Sequence, residues 1–147
     1  AKGVDVGANY HVPVGDGRLG LRFVGTYLID NVTETTPGIS AGDVVRDGAW
    51  NNPHVRATLT ATYDIGNLGL SLATRYHGSG KGDINTTSDE QYDNNSVPSR
   101  TYVDLSTRYN FGNGHSLNFA VRNLTDRMPP YIDIVGRAYN LNWTWRF

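Results

Sequence analysis

Apolar and polar side chains alternate one for one along most of this chain. Between Gly3 and Val12, Val4, Val6, Ala8, Tyr10 and Val12 alternate with Asp5, Gly7, Asn9 and His11. A period of two places the two sets on opposite faces of a β-strand. Pro13-Val14-Gly15-Asp16-Gly17 then reads as a tight turn. In Arg18 to Ile29, Leu19, Leu21, Phe23, Gly25, Tyr27 and Ile29 oppose Arg18, Gly20, Arg22, Val24, Thr26 and Leu28. A long polar stretch, Asp30 to Asn52, follows.

The alternation resumes over His54 to Asp64, where Val55, Ala57, Leu59, Ala61 and Tyr63 share a face. Ile65-Gly66-Asn67 turns the chain, and Leu68, Leu70, Leu72, Thr74 and Tyr76 carry the pattern on to His77. A second long stretch, Gly78 to Ser99, is rich in Gly, Ser, Asn and Asp. Arg100 to Phe111 places Thr101, Val103, Leu105, Thr107, Tyr109 and Phe111 against Arg100, Tyr102, Asp104, Ser106, Arg108 and Asn110. Gly112-Asn113-Gly114 is a hairpin signal, because Asn and Gly tolerate positive φ. Leu117, Phe119 and Val121 oppose Asn118, Ala120 and Arg122. A third loop, Thr125 to Gly136, contains Pro129-Pro130. In the last strand, Ala138 to Phe147, Tyr139, Leu141, Trp143, Trp145 and Phe147 face away from Asn140, Asn142, Thr144 and Arg146.

The pattern predicts seven antiparallel strands and no helix. Short and long connections alternate, so the tight turns gather at one end of the sheet and the long loops at the other. Composition narrows the solvent question. The chain has 147 residues, no cysteine, 17 Gly, 9 Tyr and a formal net charge of -1. Without cysteine there are no disulfides, thiolate zinc sites or cysteine nucleophiles. Near-neutral charge argues against a dedicated nucleic-acid binder. A mean hydropathy of -0.45 leaves no apolar run long enough for a membrane helix. No secretory leader is expected within the chain, which begins at Ala1.

Charge is confined to one face. Arg18, Arg22, Arg56, Arg75, Arg100, Arg108, Arg122 and Arg146 share it with Asp5, Asp64 and Asp104, while the apolar face of all seven strands carries none. A solvated outer surface and a polar lumen both account for this. Aromatic residues choose between them. On the apolar face, strands running toward the tight turns finish at Tyr10, Tyr63, Tyr109 with Phe111, and Trp145 with Phe147; those running toward the long loops finish at Tyr27 and Tyr76. The equal steps from Leu19 to Tyr27 and from Leu68 to Tyr76 correspond to roughly 20 Å of height in a tilted strand. That approaches the ~25 Å apolar band of an outer-membrane barrel, flanked by aromatic girdles. A soluble core gives no reason for tyrosine at both rims, and a soluble protein rarely exposes an end as greasy as Trp143, Trp145 and Phe147.

At this point particular residues become recognisable. Tyr139, Leu141, Trp143, Trp145 and Phe147 resemble the C-terminal signal that the barrel assembly machinery reads in bacterial outer-membrane proteins. Asn123-Leu124-Thr125-Asp126-Arg127-Met128-Pro129-Pro130 resembles a stretch near the end of TonB-dependent receptors, and Pro98-Ser99-Arg100-Thr101-Tyr102-Val103-Asp104-Leu105 with Tyr109-Asn110-Phe111 is similar to the strand before it. These motifs cover the last 50 or so residues; the first 97 match in architecture. The resemblance implies an all-β, antiparallel transmembrane β-barrel of about 22 strands, filled by an N-terminal plug domain. Residues 1–147 would be its C-terminal portion, the last seven strands, with short periplasmic turns, long extracellular loops and the plug elsewhere. Seven strands alone leave two edges, and bare N–H and C=O groups in hydrocarbon cost several kcal/mol each.

Function follows from that resemblance. It implies a receptor in the bacterial outer membrane that imports a scarce nutrient (a ferric siderophore, cobalamin or a saccharide) with energy passed through TonB. It implies no enzyme activity and no cofactor. Partners would be the remaining barrel strands and plug, TonB, the assembly machinery and outer-membrane lipid, with no nucleic acid. A passive porin or another non-TonB barrel is the alternative, and a soluble ligand-binding β-barrel a further one. Candidate substrate contacts are Trp50 in the first long loop, Tyr92 in the second, and Arg100 and Tyr102 on the polar face. The lumen arginines either attract an anionic substrate or pair with Asp5, Asp64, Asp104 and plug carboxylates; pairing is the stronger expectation.

Other motifs read as ordinary. Gly15-Asp16-Gly17-Arg18-Leu19-Gly20 fits G-x-G-x-x-G, but enters a strand where a dinucleotide site needs a helix. Asn31-Val32-Thr33, Asn85-Thr86-Thr87 and Asn94-Asn95-Ser96 are chance glycosylation patterns in this setting. His11, His54 and His77 read as polar lining, and His115 as a turn residue. Asp83, Asn85, Asp89, Glu90 and Asp93 offer hard oxygens for calcium, though such loops are more often solvated. No catalytic constellation is present.

Overall fold

The computed structural model describes residues 1–33, 44–45, 48–84, 95–128 and 136–146. Its strands are β1 (Lys2–Val14), β2 (Gly17–Asp30), β3 (Val32–Thr33), β4 (Val44–Val45), β5 (Val55–Ile65), β6 (Leu68–His77), β7 (Gly80–Lys81), β8 (Ser96–Val97), β9 (Arg100–Gly112), β10 (His115–Arg122) and β11 (Ala138–Trp145). Seven of them form one sheet in the order β1-β2-β5-β6-β9-β10-β11. That is a meander in chain order, as hairpin connections require. No helix occurs among the described residues.

Two ribbons appear where the sequence pattern predicts only loop. Val32 and Thr33 pair with Val45 and Val44, and Gly80 and Lys81 with Val97 and Ser96. Two-residue strands are too short to show an alternation, so periodicity does not reveal them. A further correction concerns His115, expected in a turn. It opens β10, because the turn closes within Asn113 and Gly114, and the register slips between His115 and Ser116.

Gly112 (φ 83), Asn113 (φ 49) and Gly114 (φ 78) are three successive positive-φ residues, Asn113 and Gly114 at the two central positions of the hairpin turn. At Gly114 the requirement is double. Its carbonyl accepts from Arg146 N at 2.9 Å, and a Cβ there would run into the Arg146 carbonyl. The φ of 78° and the lack of room for a Cβ together call for glycine.

The chain divides into two compact units, one of Ala1–Val6, Gly25–Ala57 and Tyr76–Arg100, the other of Gly7–Val24, Thr58–Arg75 and Thr101–Phe147. In the second unit, register fixes the faces. Leu117, Phe119 and Val121 lie opposite Trp143, Leu141 and Tyr139 on one side and Tyr109, Thr107 and Leu105 on the other. Asn118 likewise lies between Asn142 and Arg108. The apolar-face positions thus line up with one another and the polar-face positions likewise, with Thr107 opposite Phe119 and Ala120 opposite Asn140 and Ser106 as mixed rungs. Tyr63 closes the neighbouring hairpin. Its ring lies where a Gly17 Cβ would come within 2.6 Å, and its hydroxyl donates to Val14 O at 2.9 Å. An aromatic ring covering a strand glycine restores the packing that the missing side chain forfeits.

Burial is scarce. Val97, Val121 and Pro53 are the buried apolar side chains among the described residues. Leu59 (47% exposed), Leu141 (68%) and Trp143 (59%) are open, as are Val4, Val6, Tyr10, Phe23, Tyr27 and Leu72. Leu21 and Leu105 are half-exposed. Leu21, Leu59, Leu105 and Trp143 therefore form no dry interior, which a soluble sandwich or barrel would need.

Candidate functional site

In the first unit the bases of the two long loops are tied to each other. Trp50 N donates to Lys81 O, and Lys81 N to Gly48 O, both at 2.8 Å. Asn52 N returns to Ala49 O at 2.9 Å, closing a small turn around Trp50 and Asn51. Two arginines hold that turn from below in sequence: Arg56 Nη2 donates to Asn51 O, and Arg100 Nη2 to Trp50 O at 3.0 Å. The Arg100 guanidinium also lies 5.9 Å from the Trp50 ring centroid, within cation–π range. Arg100 is 9% exposed, and its Nη1 has no partner among the described residues. Two of the four expected substrate contacts, Trp50 and Arg100, are therefore brought together. The pairing gives Arg100 a supporting place behind Trp50.

The second loop is pinched at its neck. Asn95 Oδ1 accepts from Asp83 N at 2.8 Å while its Nδ2 donates to Asp83 O at 2.7 Å. A cleft of ≈ 450 Å³ opens here, lined by Gly48, His54, Ser79, Gly80, Lys81, Ile84 and Ser96. His54 is positioned by its Nδ1 against Leu28 O at 2.9 Å. Tyr92 lies outside the described residues, as do Asn85, Asp89, Glu90 and Asp93 of the expected calcium loop. Among the described residues no group of His, Cys, Asp or Glu could hold a metal ion.

Tyr102, the fourth expected contact, belongs to the second unit, with Arg75 over its ring at 5.7 Å. Arg75 in turn binds Asp104 twice, Nε to Oδ2 at 3.0 Å and Nη2 to Oδ1 at 3.2 Å. The same Oδ1 accepts from Asn123 N at 2.9 Å. Asn123, 6% exposed with φ 52, clasps Arg127 through both ends of its amide: Nδ2 to Arg127 O and Arg127 N to Oδ1, each 2.9 Å. Asp126 Oδ1 then accepts from Arg137 N at 2.9 Å across the third loop. Arg137 itself is fully exposed, and its pKa is raised above the ordinary value by hydrogen bonding to Tyr139 and, last, by Asp126. The Asn-Leu-Thr-Asp motif is thus a loop-building device. Sequence reasoning found the motif without its role, although an Asn directly after a strand is a known left-handed position.

The expected pairing of charges on the polar face is seen at Arg75–Asp104 and more loosely at Arg108–Asp64, 3.8 Å apart. Asp5 instead accepts from the Thr26 hydroxyl at 2.6 Å. The residues of the proposed assembly strand, Tyr139, Leu141, Trp143 and Trp145, are all exposed on the apolar face; Phe147 lies outside the described residues. His115 joins them. Its ring stacks on Trp145 at 5.5 Å and meets Trp143 edge-on at 5.7 Å, while Phe111 stacks on Trp143 at 5.5 Å and meets Tyr109 edge-on at 4.8 Å. Extending the Leu117-Phe119-Val121 alternation back by one step was the signal for His115.

No curated protein and no solved structure gives a significant match to the chain. The family described as TonB dependent receptor-like, beta-barrel matches residues 1–124. The match covers the stretch before Pro98, where the motifs are silent, and ends before β11. With most of its length matched, and with the meander and faces just described, this chain belongs to the TonB-dependent receptor-like β-barrel family.

Proposed function

We propose that this chain forms the C-terminal wall of an outer-membrane receptor that imports a scarce nutrient using TonB-supplied energy. One observation carries the reading: an apolar sheet face, aromatic toward both strand ends, lies uncovered while the opposite face bears ordered ion pairs. In hydrocarbon that apolar face needs no protein cover, and the ion pairs line water. Family membership supports outer-membrane transport and argues against an enzyme. The free edges of β1 and β11 would pair with further strands of the same barrel, about 22 in all. The rest of the barrel, its plug, TonB, the assembly machinery and lipid are its partners in this reading.

The candidate substrate contacts are Trp50, Tyr92, Arg100 and Tyr102, and the contact of Arg100 with Trp50 supports the first and third of them. In this reading the nutrient is a ferric siderophore, cobalamin or a saccharide. The test is growth of a strain lacking the receptor on each nutrient class as sole source, with and without a functional TonB. Receptor-dependent growth that disappears without TonB supports the proposal. Receptor-dependent growth indifferent to TonB identifies a passive pore instead.

A further inference from the structure

In the first unit the buried residues gather at the bases of the two long loops: Pro53, Gly78, Val97 and Arg100. Three of them anchor walls of the cleft between those loops. His54 follows Pro53, Ser79 follows Gly78, and Ser96 precedes Val97. His54 is held twice by one residue, its Nδ1 donating to Leu28 O at 2.9 Å and its carbonyl accepting from Leu28 N at 2.7 Å. Gly80 lets the two loops close on each other, since a Cβ there would come within 2.8 Å of the Ala49 carbonyl and of Gly48 O. Walls that stand on packed backbone are formed before any ligand arrives, as binding clefts usually are.

Charge narrows what the cleft takes. Arg56, Lys81 and Arg100 stand around the loop bases, and none of them forms an ion pair among the described residues. Arg56 and Arg100 donate to the carbonyls of Asn51 and Trp50. A carbonyl satisfies a donor and leaves the charge uncancelled. Arg100 is 9% exposed, with Nη1 unpartnered among the described residues, and water screens a buried charge less than an exposed one. Trp50 ties it to the cleft wall: its carbonyl accepts from Arg100, and its N–H donates to Lys81 O. The walls carry the Lys81 ammonium, the Ser79 and Ser96 hydroxyls and the His54 imidazole, beside Ile84 and two glycines, and no Asp or Glu. An ammonium flanked by hydroxyls suits a compact anionic oxygen group, and a cation would find no counter-charge here.

We propose that this cleft binds an oxyanion group, a carboxylate or a phosphate, of the imported nutrient. Lys81 is its charge partner, Ser79 and Ser96 donate hydrogen bonds to it, and Arg100 is a positioning residue that fixes the Trp50 turn and adds its charge behind the wall. The proposal deepens the receptor reading and rests on it.

The test uses the full-length receptor and pyridoxal phosphate, which carries an anionic group beside an aldehyde. The Lys81 amine adds to the aldehyde and loses water to form an imine, which borohydride reduces to a stable secondary amine. Peptide mapping is expected to find Lys81 labelled about tenfold more by pyridoxal phosphate than by pyridoxal, with a far smaller preference at the exposed Lys2. Citrate and inorganic phosphate serve as competitors. Protection of Lys81 by citrate alone assigns a carboxylate, by phosphate alone a phosphate, and by both the shared oxyanion chemistry. Ser79→Ala/Ser96→Ala is expected to remove the preference and leave labelling by pyridoxal unchanged. Arg100→Gln is expected to weaken the preference and Arg100→Lys to restore it; equal loss in both removes Arg100 from the proposal. Equal labelling by the two reagents, no labelling of Lys81 by either, or protection by neither competitor overturns it. These readings need no transport. Lys81 left unprotected in a receptor that supports TonB-dependent growth overturns the cleft assignment alone, whereas growth indifferent to TonB with Lys81 protected overturns the receptor reading and leaves an oxyanion cleft on a passive pore.

Discussion

Arg75 on β6 and Asp104 on β9 meet in a two-pronged hydrogen bond, and the carboxylate that binds the arginine also binds the backbone of Asn123 at 2.9 Å. One side chain thus couples the sheet to the third loop. Asp104→Asn keeps the shape and removes the charge, leaving Arg75 without its anion. With Arg75 42% and Asp104 24% exposed at the side chain, solvent screens part of the loss. A destabilisation of about 1–2 kcal/mol is expected. Urea unfolding of the receptor refolded into lipid measures it, and a double-mutant cycle with Arg75→Met should return most of that loss as coupling. Additive effects would show that the pair is incidental.

Asn123→Ala removes both amide contacts to Arg127 and leaves a non-glycine residue at φ 52 without the side chain that favours it. Faster amide exchange at Arg127 and earlier proteolysis in the third loop are expected, with strand exchange unchanged. Exchange that stays slow at Arg127 would remove the clasp from the account.

Tyr63 and Gly17 separate two effects at one hairpin. Tyr63→Phe loses the hydroxyl that donates to Val14 O, a cost of about 0.5–1.5 kcal/mol. Gly17→Ala places a methyl within 2.6 Å of the Tyr63 ring and should cost more. Unfolding midpoints in the same lipid rank the two, and the reverse order would contradict the packing described.

Leu59→Arg is expected to destabilise the folded receptor by about 2–4 kcal/mol if residue 59 faces the middle of the bilayer. Thr60→Arg, one residue along and on the polar face, should do far less. Comparable losses at both positions would contradict the assigned faces. Phe147→Ala or removal of Phe147 is expected to reduce the heat-modifiable receptor recovered from membranes, and undiminished recovery would count against the assembly-strand assignment.

Much of this architecture was written in the alternation. Val4 to Tyr10 and Tyr139 to Trp145 show period two without interruption, and their strands lie where the pattern puts them. Asn113-Gly114 announced its turn through the backbone conformations those two residues tolerate. What escaped the pattern was short or reciprocal. The β3–β4 and β7–β8 ribbons are two residues per strand, below any detectable period. The hold of Arg100 on Trp50 spans 50 residues, and nothing local in either segment signals it. The clasp of Asn95 on Asp83 has the same origin: one amide satisfying two backbone groups at once, visible only when both are in place.

Accessibility of the two faces in a bilayer tests the account most directly. Single cysteines at Leu21, Leu59, Leu141, Thr60 and Asn142 of the full-length receptor, in a background without other cysteines, accept nitroxide labels that sense oxygen from lipid and a nickel chelate from water. Labels at 21, 59 and 141 should respond to oxygen and resist nickel, and labels at 60 and 142 the reverse. Labels at 21, 59 and 141 shielded from both, as in a dry protein interior, would contradict it.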